Sequence, residues 1–166
     1  MLLPLGGDAG DADARGEYAS VASFGELALR LMAVGAPVEL VEACHRAALD
    51  EIRHARQADA LADRTRPRFG AIPELLGRRI GGSARSRRAQ LRRIAVESFT
   101  DGWLNESAAA ARLRQRAEAA TGDARATLLA MAADEDGHAE LARDIVTWCF
   151  DEDPAAVGPA LAALAS

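Results

Sequence analysis

The 166-residue chain contains no lysine; all twenty of its basic residues are arginine. Aromatic residues make up only 4%, and β-branched residues are also few, so a β-sandwich or barrel is a poor fit. There are two cysteines, Cys44 and Cys149, with no CxxC pair, which argues against both a disulfide framework and a zinc knuckle. No apolar run reaches the roughly 18 residues that a membrane span requires. The opening stretch MLLPLGGDAGDADARGE lacks the basic start of a secretory signal. The expectation is a cytoplasmic protein with no membrane partner.

The chain does have alanine in excess, 39 residues of it, alongside 49% hydrophobic and 27% charged residues. That is a globular composition with strong helix propensity, and it indicates an all-α fold. The net charge of −5 makes nucleic acid an unlikely general partner. The charge is unevenly spread. Residues 64–93 hold ten arginines against one acid, Glu74, a local +9 that leaves −14 for the remainder. Charge runs are usually solvated faces, and this one reads as a crossover balancing an acidic remainder; docking of an acidic partner is the competing reading.

Hydrophobic periodicity divides the chain into a loose tail at 1–13, a helical body at 14–150 and a short tail at 151–166. Helices are expected at about 14–34, 37–62, 86–120 and 124–150. Gly35-Ala36-Pro37 ends the first and opens the second. Thr121-Gly122-Asp123 separates the last two, with Asp123 as the expected N-cap. Two short turns require two antiparallel hairpins, joined by a long crossover over 63–84.

Two segments share one pattern, Asp50-Glu51-Ile52-Arg53-His54-Ala55 and Asp134-Glu135-Asp136-Gly137-His138-Ala139. In a helix, positions i and i+3 lie on one face, so each Glu and His point the same way. Each pair follows a helix carrying its own glutamate, Glu17 or Glu106. Residues of an antiparallel hairpin are level when their midpoint is the turn. The midpoint of Glu17 and His54 falls at Gly35-Ala36, and that of Glu106 and His138 at Gly122. Other acids fail on phase. Glu42, which begins a second Glu-x-x-His with His45, lies nine residues from Glu51 and so faces away from it. Glu26 and Glu97 stand nine residues from Glu17 and Glu106 and are expected to face away as well.

Four glutamates and two histidines then converge on the inner stripes. Unpaired buried carboxylates are costly. Two divalent cations would neutralise them, with neutral imidazoles completing the donor set. Oxygen and nitrogen donors without thiolate favour iron or manganese over a structural zinc. Asp50 and Asp134 are expected to accept from the histidine of the opposite half and orient it. The competing reading is a helical bundle whose Glu-His pairs make only local hydrogen bonds. Phe99 and Trp103, before Glu106, are candidates to wall a substrate pocket, with core filling as the alternative.

With EYASVASF, LDEIRHAR and ADEDGHAEL, residues 14–150 resemble the ferritin-like superfamily of dinuclear carboxylate four-helix bundles, in particular its small bacterial members. The resemblance implies Glu17, Glu51, His54, Glu106, Glu135 and His138 as ligands to two iron ions, with manganese as a substitute. It also implies Glu51 and Glu135 as bridging carboxylates. Ile52 stands where bacterioferritin has its haem-ligating methionine, so no haem is expected. Rubrerythrin's extra glutamate would stand at Ala109. The activity implied is activation of O2 to oxidise an unidentified small substrate. Ferroxidase and iron storage with Fe(II) as substrate, as a homo-oligomer, and a non-catalytic metal-binding module are the alternatives.

Overall fold

The computed structural model describes residues 7–62 and 86–164. The expected crossover at 63–84, most of the arginine-rich run and residues 1–6 fall outside it. Every regular element among the described residues is helical: α1 (Gly7–Val34), α2 (Val38–Leu61), α3 (Arg87–Glu97), a π-helical segment (Ser98–Leu104), α4 (Asn105–Ala119), α5 (Gly122–Glu152) and α6 (Pro154–Ala162). No described helix is long and apolar enough to cross a membrane. The principal packing partners are α1 with α2, and α4 and the π segment with α5. α3 packs on α5 and α6, and α2 meets α5.

The turn between α1 and α2 follows from its residues. Gly35 sits at φ 75°, where a side chain would be strained. Its N–H reaches the carbonyl of Met32, and the Ala36 N–H reaches that of Leu31. This is the paired 5→2 and 6→1 closure of a Schellman end. Pro37 then opens α2 with a φ already suited to a helix start. The turn between α4 and α5 is at Gly122, at φ 56°.

Several boundaries differ from expectation. α1 begins at Gly7 and takes up part of the stretch expected to be a loose tail. Thr121, not Asp123, is the N-cap residue of α5, without a side-chain hydrogen bond, and Asp123 lies in the first turn, where its charge complements the helix dipole. The chain after Pro154 forms α6. Asp153 caps it by accepting from the Ala156 N–H, and Val157 is fully buried.

The largest departure is in the third helix. A single α-helix over 86–120 is expected, with Phe99, Gly102 or Trp103, Glu106, Ala109 or Ala110 and Leu113 on its inner stripe. The chain instead underwinds over Ser98–Leu104. The inward row becomes Ser98, Gly102, Glu106 and Ala110, four residues apart at each step. In a regular α-helix three such steps would drift by roughly 120°; the π turn absorbs that drift. Gly102 permits the close approach this needs, because a Cβ there would lie 2.6 Å from the Ala142 Cβ of α5.

Along α5 the buried face is layered. Leu128, Met131 and Ala132 pack with Leu113 and Ala117 of α4. Leu141, Ile145 and Cys149 join a larger cluster containing Phe24, Leu31, Ile94 and Val157. Full burial of a Leu or Ile side chain stabilises by roughly 1.5–3 kcal/mol. Between these apolar layers α5 places Glu135 and His138, and their burial calls for partners.

Candidate metal centre

α2 and α5 each carry Glu and His three positions apart on a buried face. Glu51, His54, Glu135 and His138 are 1%, 0%, 2% and 4% exposed. α1 supplies Glu17 and α4 supplies Glu106, both half-buried. Two groups form. In one, Glu17, Glu51, His54 and Glu135 each bring a donor atom within 4.8 Å of the others; in the other, Glu106, Glu135 and His138 do the same. Glu135 belongs to both. Glu51 Oε1 is also 3.2 Å from His138 Nδ1, so it reaches across as well.

Both histidines turn Nδ1 toward the carboxylates and Nε2 outward. His54 Nδ1 is 3.2 Å from Glu135 Oε1, and His138 Nδ1 is 3.1 Å from Glu135 Oε2. On the outer side, His54 Nε2 is 3.0 Å from Asp134 Oδ2 and His138 Nε2 is 3.5 Å from Asp50 Oδ2. Asp134 thus serves the histidine of the opposite pair, whereas Asp50 lies only within ion-pair reach of His138, whose Nε2 makes no hydrogen bond among the described residues. In a neutral His54, an Nε2–H donated to Asp134 would leave the Nδ1 lone pair directed into the cluster, the tautomer a metal ligand needs.

Arg53 was not singled out from the sequence. Its Nη1 is 2.8 Å from Asp50 Oδ1, and its Nη2 donates to Asp134 Oδ2 at 2.7 Å. One guanidinium therefore ties together the two aspartates that face the two histidines. The signal was available, since Arg53 stands three residues after Asp50. The equivalent position in the other copy is Gly137, so the clamp is built from one side only.

The electrostatics are those of a buried carboxylate–imidazole cluster holding protons. Burial, then the charges of Glu51 and Glu135, raise the Glu17 carboxyl to about 8. Burial, then Glu135 and Glu51, raise Glu106 to about 8. Burial opposes the charged imidazoles, but the carboxylates around them prevail: Glu135 and Asp134 lift His54 to about 9, and Glu135 and Glu51 lift His138 to about 10. Burial likewise works against ionised Glu135, yet the two histidines hold it down at about 2. Protons supply the positive charge that these buried carboxylates require. They do so incompletely, because Glu51 Oε2 is buried with no hydrogen-bond partner among the described residues. A buried orphaned carboxylate oxygen beside inward imidazole nitrogens and no thiolate is what a hard or borderline divalent cation would satisfy.

The remaining candidates fall elsewhere. Phe99 and Trp103 pack edge to face on each other, 5.3 Å apart, and neither lines the cavity that reaches Glu106 and His138. Displacement by the π turn accounts for this. Glu42 and His45 are exposed, as the phase required. Glu26 and Glu97 belong to neither cluster but do line the cavity, so they do not simply face away. Cys44 and Cys149 are fully buried, and burial pushes both thiols up to about 12, consistent with inert core residues.

No family model, curated protein or solved structure matches the chain.

Proposed function

We propose that this protein is a ferritin-like four-helix bundle carrying a dinuclear iron centre, with manganese able to replace one or both irons, that activates O2 to oxidise a small substrate. The observation that carries the reading is the buried convergence of two Glu-x-x-His pairs on two further glutamates, with His54 held by the aspartate of the other pair and His138 facing Asp50. Glu17, Glu51 and His54 would hold one ion, Glu106 and His138 the other, with Glu135 common to both. Two Fe(II) ions bound there would supply paired one-electron reduction of O2 in a site screened from water. The chain's own residues do the rest. Asp134 fixes the His54 imidazole, Asp50 faces that of His138, Arg53 fixes the aspartates, and the apolar layers above and below keep the local dielectric low.

Ferroxidase and storage activity is the second reading. It is favoured by the exposed apolar side chains Leu29, Met32, Val38 and Leu49 on the paired helices α1 and α2, which a cage would cover. Anaerobic Fe(II) loading followed by O2 tests the proposal. Rapid O2 uptake by a monomer or dimer, accelerated by a small organic substrate, is expected. A very large particle that accumulates iron would favour storage. Absence of O2 uptake by the loaded protein would leave a non-catalytic metal-binding module.

A further inference from the structure

A cavity of about 380 Å³ lies between α1, α3, the π segment and α5, and Glu106 and His138 form part of its wall. That volume is in the range of small-molecule sites. Part of the lining is apolar: Phe24, Leu27, Leu141 and Ile145. The Phe24 ring meets His138 edge-on at 5.1 Å, so the apolar wall continues to the edge of the cluster.

Arg30, also in the wall, is only 6% exposed. Its Nη1 donates to Glu97, and Glu97 also accepts from Arg93 Nε at 2.6 Å. Arg30, Glu97 and Arg93 therefore carry one net positive charge together. Arg30 Nε and Nη2 have no hydrogen-bond partner among the described residues. These two nitrogens form one edge of the guanidinium, the edge that binds a carboxylate through two parallel hydrogen bonds. Ser98 Oγ, likewise buried and in the same wall, also lacks a partner among the described residues. Leaving such donors unmade is costly in a native fold. A bound acceptor would satisfy them.

The geometry points to this cavity as a binding site for a small monocarboxylate with an apolar body, its carboxylate held by Arg30 and Ser98 and its far end directed toward Glu106 and His138. The inference rests on the proposed function only for what happens at that far end; the pocket itself stands on Arg30 and the cavity. Glu26 and Asp101 also line the cavity. With Glu26, Asp101 and Glu106 set against the one net positive charge of Arg30, Glu97 and Arg93, the wall disfavours a dianion and an inorganic polyanion, and only its Arg30–Ser98 end favours a monocarboxylate.

The test is calorimetric titration with octanoate and with octan-1-ol, on the protein as isolated and again after chelation. Octanoate should bind one per chain, and the alcohol about tenfold more weakly or worse, since charge-assisted hydrogen bonds contribute most of the difference. Arg30→Gln should weaken octanoate by about tenfold or more while leaving the alcohol unchanged. Leu27→Trp fills the cavity with Arg30 intact and should abolish both. Equal binding of acid and alcohol, no binding of octanoate, or octanoate binding untouched by either substitution would overturn the assignment. Should Arg30→Gln fail to fold, Leu27→Trp decides alone. Metal content measured on the same samples separates the two ideas: two ions with no octanoate binding defeats only the pocket, and Arg30-dependent octanoate binding without metal defeats only the dinuclear reading.

Discussion

Gly102→Ala is a small change with a large expected effect. The added Cβ would lie 2.6 Å from the Ala142 Cβ, whereas carbon atoms settle at roughly 3.5–4.0 Å. The obstructing atom is itself a Cβ, so no side-chain rotation relieves the clash. The π segment and α5 must separate by about an ångström, at a cost of about 1–3 kcal/mol for overpacking of this kind. Ala142 is one turn after His138 and Gly102 one turn before Glu106, so the same displacement draws apart two members of the second group. Urea unfolding should show the loss of stability, and metal titration should show one of the two ions bound more weakly than the other. Ala142→Gly removes the opposing atom, and the double variant should recover most of both losses. A single variant within about 0.5 kcal/mol of the parent, the range of neutral surface changes, or a double variant no better than the sum of its parts, would refute the close-approach reasoning.

Other outcomes follow from the same geometry. Asp134→Ala frees His54 Nε2 and should lower metal affinity by about ten- to a hundredfold, as loss of a ligand-orienting partner does, measured by competition with a chromogenic chelator. Arg53→Ala should act in the same direction but less strongly, because Asp134 keeps its hydrogen bond to His54. Glu42→Gln should leave metal content unchanged, since Glu42 is exposed and pairs with Arg46. In the metal-free protein, the histidines raised to about 9 and 10 and the glutamates raised to about 8 stabilise the fold while protonated. Their contribution is complete below the ordinary values of these groups and is lost as pH rises through those raised values. The Glu135 contribution, with its carboxyl held at about 2, is lost only in strong acid. The melting temperature of chelated protein should therefore fall between about pH 4.5 and pH 10, with a smaller fall for loaded protein; a flat or rising profile in the chelated protein would contradict the proton-filled cluster.

The convergence of the six candidate ligands could be read from the chain because it depends on local arithmetic. Helical phase places Glu51 with His54 and Glu135 with His138, and turn position places Glu17 and Glu106 level with them. Gly35 and Gly122 announce the turns because the backbone there needs positive φ. The π turn was not legible. It follows from the approach of Gly102 to Ala142, a contact between residues forty positions apart in sequence, and no local pattern signals it. Phe99 and Trp103, candidates for a pocket wall or for core filling, pack on each other away from the cavity, which opens beside Ser98, Arg30 and Phe24 and had no signal in the sequence. Arg53 shows a different limit, because an i+3 partner of Asp50 looks like an ordinary surface pair until the opposite helix brings Asp134 beside it.

The central claim is that these six side chains hold metal, and metal content per chain tests it most directly. Protein loaded anaerobically with Fe(II), desalted and analysed by atomic emission should carry two ions per chain. Glu135→Ala, which removes the carboxylate common to both groups, should reduce this to well below one, and Glu51→Ala should reduce it sharply, with helical circular dichroism retained in both. Metal content unchanged in both variants, or no stoichiometric metal in the parent chain, would contradict the account.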